Sequence, residues 1–344
     1  MKITGVIFAG GYGKRLMPIT EKTPKPLLEL REEYTILDKQ VSDFKYAGIS
    51  KVYLLIGHLG DKIKARLGSK YNGVSIKYLE EDKPRGTLWA LNNALRAIKE
   101  DISVRKLPIG IVVRNGDVVT DINIKNLIKV AQKNNDLITI AVTKMQSPYG
   151  IIEFADRKIT SFKEKPTLEL YINAGIYYIK KGAFPYFAKE YDRREIEHTV
   201  FPELVEERKI APYYENCFWR SIDGIKDLEA VRKEYENKQD KPWGYEKTMV
   251  NNEKYLVKEL YIKKDFKTSL HYHPNKDESL HVLEGEGYID FENKRISANA
   301  GSVVRIEPKK IHSIVAVENL RIYEYSTPHP DDTVRVKDYY GRRK

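Results

Sequence analysis

Two patterns of apolar and polar positions share this chain. From residue 1 to about 236, short apolar runs at 5–9, 52–56, 109–113 and 137–142 predict buried strands. Segments of helical spacing at 37–47, 87–98 and 124–132 fall between them. Such alternation predicts an α/β domain with a mainly parallel sheet covered by helices on both faces. Beyond Glu236 the helical spacing stops. Period-two segments at 255–262, 278–283, 287–291, 302–306, 313–317 and 320–325, with turn residues between them, predict an all-β sandwich or small barrel. The polar stretch 237–244, which ends in Pro-Trp-Gly, reads as a linker, so the expected domains are 1–236 and 237–344.

Composition narrows the classes. Of the 344 residues, 41% are hydrophobic and 32% charged, which suits a soluble globular protein and is too apolar for disorder. No run approaches the roughly 18–20 apolar residues of a membrane span, and glycines break the opening apolar run, so it reads as a strand rather than a secretory signal. The net charge is +11, but basic residues interleave with acids everywhere except the Gly341-Arg342-Arg343-Lys344 end. A nucleic-acid binder concentrates its charge, so neither nucleic acid nor membrane is expected as a partner, and the balance suits small anions. A single cysteine, Cys217, excludes an intrachain disulfide framework and fits a reducing, cytoplasmic setting.

The densest chemistry lies in Gly10-Gly11-Tyr12-Gly13-Lys14-Arg15-Leu16-Met17-Pro18-Ile19-Thr20, followed by Thr23-Pro24-Lys25-Pro26-Leu27. A glycine-rich turn directly after a strand lets backbone N–H groups close around phosphate oxygens, and Arg15 and Lys25 add fixed positive charge. The glycine spacing matches neither the dinucleotide fingerprint nor the P-loop, which removes hydride transfer and P-loop hydrolysis from the leading readings.

These residues resemble the opening motif of the nucleoside-diphosphate-sugar pyrophosphorylases, the sugar-1-phosphate nucleotidyltransferases, and the resemblance runs over about residues 3–236. It implies a Rossmann-like fold and an ordered set of landmarks. Gly10, Gly11, Gly13, Arg15, Gly86 and Thr87 would bind the nucleotide; Asp117 of Asn115-Gly116-Asp117 and Asp223 of Ile222-Asp223-Gly224 would hold Mg²⁺. The usual Asp-Ile-Gly order appears here as Ile-Asp-Gly. Gly150, Glu164, Lys165 and Asn173 would bind the sugar phosphate, and Arg15 and Lys25 would act on the reacting phosphates. Taken one by one, Asp117 also reads as a turn former and Glu164–Lys165 as a surface ion pair. The details of 142–150 and 195–202 look closest to the mannose-1-phosphate guanylyltransferase branch, which implies GTP and mannose 1-phosphate as substrates.

In the second domain, His271 and His273 alternate along a strand and share one face, with Glu278 and His312 completing a three-nitrogen, one-carboxylate set. Such ligands suit Zn²⁺, Mn²⁺, Fe²⁺ or Ni²⁺. Their spacing resembles the cupin pattern, implying a jelly roll, although Glu307, Lys309 and Ala316 replace the Pro, Gly and Asn of its second block. Lys241-Pro242-Trp243-Gly244 and the closing Asp332 to Arg342 segment look like the mannose-6-phosphate isomerase type, which implies a hexose 6-phosphate substrate and a catalytic or phosphate-facing Arg335. A salt bridge of Arg335 with Asp332 or Asp338 is the duller reading.

Together these resemblances imply a bifunctional enzyme of sugar-nucleotide synthesis, assembled as a homo-oligomer with a dimer favoured. One rival is a thymidylyl- or uridylyltransferase for glucose 1-phosphate whose cupin only binds sugar or pairs subunits. Another is a sensor that binds sugar nucleotides without turnover; retention of Arg15, Lys25, Asp117 and Asp223 together argues against it.

Overall fold

The computed structural model describes residues 3–101 and 108–342, so Arg343 and Lys344 of the basic end lie outside the described residues. The chain packs into two compact units, Met1–Leu28 with Ile49–Ile225, and Glu29–Gly48 with Lys226–Lys344.

In the first unit an eight-stranded sheet runs in the order Ile210–Tyr214, Ile138–Gln146, Thr167–Lys180, Gly110–Asn115, Thr4–Ala9, Lys51–Ile56, Val74–Glu80 and Lys70–Tyr71. Thr4–Ala9 lies between two parallel neighbours, Lys51–Ile56 and Gly110–Asn115. Burial on both faces explains why these strands read as continuous apolar runs: Val6, Ile7, Val52, Leu54, Ile111 and Val113 are fully buried. Thr167–Lys180 runs antiparallel to both of its neighbours, so the sheet is mixed on that side. The helix Thr87–Asp101 turns Leu88, Leu91, Leu95 and Ile98 into the core shared with Val6 and Tyr177.

The second unit holds two antiparallel sheets. One has six strands, from Lys238–Lys241 through Gly244–Asn251, Leu256–Ile262, Leu320–Ser326 and Glu278–Glu284 to Val303–Ile306. The other runs Arg295–Asn299, Glu286–Phe291, His312–Ala316, Leu270–Tyr272 and Val334–Lys337. Their apolar rows meet in a core around Leu260, Ile262, Leu280, Val282, Ile314 and Ile322. The linker expected over 237–244 is corrected here. Lys238–Lys241 is a strand hydrogen-bonded to Gly244–Asn251, Trp243 is buried in the core, and the Lys238 ammonium lies 4.0 Å from the Tyr245 ring. A polar stretch looked like a connector because its lysine is buried through cation–π and ion-pair contacts, with Glu234 3.3 Å away. Helix Ile36–Tyr46, started by a Thr35–Asp38 capping box, packs within this unit, where Lys39 and Tyr34 meet Asp240.

Candidate active sites

The first site grows out of the turn after Thr4–Ala9. Gly13 takes φ +63°, and a Cβ there would lie 2.9 Å from the Thr20 methyl, so the turn accepts only glycine without strain. Thr20 Oγ1 donates to the Gly13 carbonyl at 2.9 Å and closes the loop. Gly10, Gly11, Gly86 and Thr87 line one cleft of about 300 Å³. Tyr12, His58 and Glu81 line it too and were not singled out from the sequence. Gly86 sits at φ +91°, where a Cβ would come within 2.4 Å of the Arg194 carbonyl.

The charged residues converge. The strand Val118–Thr120 pairs antiparallel with Trp219–Ser221, and Ile222 N donates to the Asp117 carbonyl at 3.0 Å. This pairing brings together two carboxylates more than a hundred residues apart in sequence. Lys25 Nζ lies 2.7 Å from Asp117 Oδ2 and 3.7 Å from Asp223 Oδ1, and Arg15 Nη1 lies 3.4 Å from Asp223. Lys25 is mostly buried at 14% exposure, whereas the Arg15 side chain is 78% exposed and open to a ligand.

Asn173 is fixed from both ends, its amide donating to the Tyr177 hydroxyl and its carbonyl accepting from Gly175 N, each at 2.8 Å. Trp219 Nε1 donates to the Ala174 carbonyl, tying this segment to the strand Trp219–Ser221 that leads into Asp223. Gly150 and Glu164 are neighbours: a Cβ on Gly150 would lie 3.0 Å from Glu164 Oε2. Glu164 and Lys165 form an exposed ion pair at 3.7 Å. Among the described residues no ion pair links them to the Lys25 cluster.

The second site lies inside the antiparallel unit. The register sets His271 opposite both His312 and Arg335, and the ligand nitrogens of His271, His273 and His312 lie within 4.8 Å of one another. Each Nδ1 faces a backbone carbonyl: Ser269 at 2.8 Å, Asp332 at 2.9 Å and Lys310 at 3.0 Å. A carbonyl only accepts, so Nδ1 of each ring is the donor there, and in the neutral rings of His271 and His273 the lone pair is on Nε2. Burial, then the neighbouring His312, pushes His271 down to about 3, and burial also lowers His273, so both are neutral near pH 7. Burial works to raise Glu278, but His312, Lys276 and His273 outweigh it and hold the carboxyl at about 2. Glu278 Oε1 lies 3.1 Å from His312 Nε2 yet has no hydrogen-bond partner in the described structure. Three imidazoles and a buried carboxylate gathered at one point are a donor set that fits a divalent metal.

Around it is a cavity of about 330 Å³ whose wall carries several charged side chains. Lys276 Nζ lies 2.9 Å from Glu324 and 3.6 Å from Glu278, all three buried. Lys258, Glu246 and Arg335 also line it. Arg335 makes neither of the bridges considered for it: Asp332 accepts from Asn275 N and Lys276 N, and Asp338 binds Arg342. The Arg335 Nε is buried without a partner among the described residues.

The nucleotidyl transferase family profile matches residues 4–238. The chain belongs to the nucleotidyl transferase family. This nucleotidyl transferase also matches the cupin domain profile over residues 259–324. It is 32% identical over 234 residues to a mannose-1-phosphate guanyltransferase of Pichia angusta, a match covering 65% of this chain and 62% of that protein. To the catalytic subunit beta of mannose-1-phosphate guanylyltransferase of Drosophila melanogaster it is 31% identical over 230 residues, covering 65% and 60%. The chain thus spans less than two thirds of the length of these relatives. A crystal structure described as a candidate glucose-1-phosphate thymidylyltransferase of Bacillus anthracis, in complex with sucrose, superposes with a TM-score of 0.54 at 25% identity. It covers 67% of this chain and 94% of that one.

Proposed function

We propose that the first unit transfers a nucleotidyl group from GTP to mannose 1-phosphate, giving GDP-mannose and pyrophosphate. The observation that carries this reading is the meeting of Asp117, Asp223, Lys25 and Arg15 at one point beside a glycine-lined cleft. A sugar-phosphate oxygen attacks the α-phosphorus, the bond to the β-phosphate oxygen breaks, and both electrons leave with pyrophosphate. Two polyanions must be brought in line for this, and fixed cations remove their repulsion. Arg15, exposed beside the cleft, would hold the leaving phosphates, and Lys25 would turn from the carboxylates to the reacting phosphate. The two aspartates fit Mg²⁺, a hard cation that would neutralise phosphate charge there when bound. Glu164 and Lys165 would take the sugar and its phosphate, with Asn173 held rigid by Tyr177 and Gly175.

Pyrophosphate release from a panel of nucleoside triphosphates and sugar 1-phosphates tests the reading. GTP with mannose 1-phosphate should be turned over fastest. A faster rate with thymidine or uridine triphosphate and glucose 1-phosphate would move the assignment to the rival pair, and no release from any pair would end it.

For the cupin cavity we infer a mannose-6-phosphate/fructose-6-phosphate isomerase, supported by the converging Nε2 atoms and the unpartnered Arg335. A divalent metal on His271, His273, Glu278 and His312 would supply Lewis acidity at the sugar's carbonyl oxygen. Arg335 would hold the anionic end of the substrate or the developing enediolate. An isomerase assay on wild type and Arg335→Lys decides it, equal rates removing Arg335 from the chemistry.

A further inference from the structure

One wall of the cavity in the second unit carries a row of alternating charges, most of which the isomerase reading leaves unused. Lys241, Glu246, Lys258, Glu324, Lys276 and Glu278 all line the cavity, from the six-stranded sheet and the residues just ahead of the strand Glu278–Glu284. Glu246 Oε2 lies 3.2 Å from Lys241 Nζ and 3.7 Å from Lys258 Nζ. Lys258 stands opposite Glu324 in the strand register, and Lys276 lies between Glu324 and Glu278.

At the inner end of this row, one buried ammonium has two buried carboxylates within reach and hydrogen-bonds one of them. Lys276 Nζ donates to Glu324 Oε1 at 2.9 Å, whereas Glu278 Oε2, at 3.6 Å, lies beyond hydrogen-bond distance. The Ser326 hydroxyl donates to the same Glu324 oxygen at 3.2 Å and steadies it. Glu278 therefore turns its oxygens to the imidazoles, Oε1 at 3.1 Å from His312 Nε2 and Oε2 at 3.7 Å from His273 Nε2. Opposite charges this close attract strongly where water is excluded, so a second acid is needed to keep the ammonium from closing on Glu278.

We propose that Glu324 is a positioning residue for the second site: through Lys276 it holds the ammonium off Glu278 and keeps that carboxylate open to a divalent metal. Glu324 does not join the donor set. Two cations compete for Glu278, the lysine and the metal, and Glu324 decides the contest by taking the lysine. Without Glu324 the ammonium closes on Glu278 and a metal has to displace it. Without Lys276 the metal meets no competitor. The two single changes therefore act in opposite directions on metal affinity and cancel when combined. A pair that only braced the barrel would instead give a loss in each variant.

The inference rests on reading His271, His273, Glu278 and His312 as a metal site, and on no sugar substrate. Chelator-stripped full-length protein is titrated with Zn²⁺ against a competing chromophoric chelator, as wild type, Glu324→Gln, Lys276→Met and the double variant. Thermal melts of the metal-free proteins check folding. Glu324→Gln should bind Zn²⁺ at least about tenfold more weakly, the scale on which partners outside the ligand set act. Lys276→Met should bind it at least about threefold more tightly, because the competing cation is gone. The double variant should lie within about threefold of wild type, a departure from additivity that a direct coupling requires. Visible absorption of bound Co²⁺ gives a second readout: wild type and the double variant should share one spectrum, and Glu324→Gln should differ as the carboxylate leaves the ligand set. No Zn²⁺ binding by wild type would end the metal reading and this inference with it. Equal affinity in wild type and Glu324→Gln, or a double variant as weak as Glu324→Gln, would overturn this inference and leave the metal reading standing. Should Lys276→Met not fold, Glu324→Gln against the double variant decides: tenfold recovery supports the competition and no recovery refutes it.

Discussion

Removing the Lys25 ammonium should move two quantities in opposite directions. Its Nζ lies between Asp117 and Asp223, whose facing oxygens are therefore no farther apart than 2.7 Å plus 3.7 Å. In Lys25→Met the two carboxylates confront each other with their central cation gone. At roughly 6 Å and an effective dielectric of about 20 their repulsion is about 3 kcal/mol, and exposure of Asp223 screens it toward about 1 kcal/mol. That repulsion favours any divalent cation that can bridge them, so Mg²⁺ affinity should rise about fivefold, a change of about 1 kcal/mol. Turnover should fall instead, because the cation that would stabilise charge at the reacting phosphate is missing; the loss of one such contact costs about 10²–10³ in kcat. Magnesium titration by calorimetry and a pyrophosphate-release assay on the same preparation read both. Magnesium affinity that falls, or turnover within threefold of wild type, would refute the placement of Lys25 between a metal site and the phosphates.

Further outcomes follow from single atoms. Gly86→Ala must place a Cβ 2.4 Å from the Arg194 carbonyl at φ +91°, so it should cost at least about 2 kcal/mol in thermal stability and raise the KM for nucleotide. An unchanged melt would show that the segment yields freely. His273→Ala removes one converging Nε2 and should abolish stoichiometric metal retention after dialysis, read by elemental analysis, while pyrophosphate release persists. In metal-free protein, His271 sits at about 3 when folded against 6.5 when exposed, and His273 is lowered too. A depressed histidine contributes stability fully above pH 6.5 that is lost as pH falls toward the folded value. Thermal melts of chelator-treated protein should therefore weaken from pH 6.5 downward, by up to about 1.4 kcal/mol per pH unit for each such histidine. A flat profile over pH 4.5–6.5 would contradict the buried neutral imidazoles.

Much of this was readable where one residue does one job. Apolar runs marked the parallel strands because both of their faces are covered, and His271 and His273 declared a shared face through strand alternation alone. The meeting of Asp117 with Asp223 was not readable from spacing: it depends on a short antiparallel pairing, Val118–Thr120 with Trp219–Ser221, between distant segments. Charged cavity walls were missed for a different reason. In Leu320–Ser326 the inward row is Leu320, Ile322, Glu324 and Ser326, and in Leu256–Ile262 it is Leu256, Lys258, Leu260 and Ile262. A rule that sends charges to solvent breaks the row where it enters the cavity, although the period of two continues through it. The strand at 238–241 hid the same way, its buried lysine read as a surface one.

The chain after Leu320–Ser326 also bears on how the second site is put together. The Asp332 carbonyl fixes the His273 ring, its carboxylate caps Asn275 and Lys276, and Arg335 sits across from His271. All of these lie past residue 324, where the cupin match stops. All four candidate ligand side chains are supplied before that point, and the Ser269 and Lys310 carbonyls already aim His271 and His312, so His273 is the ring left for the later segment to fix. The late segment works as a clasp: one short stretch both orients an imidazole and sets a guanidinium in the cavity wall.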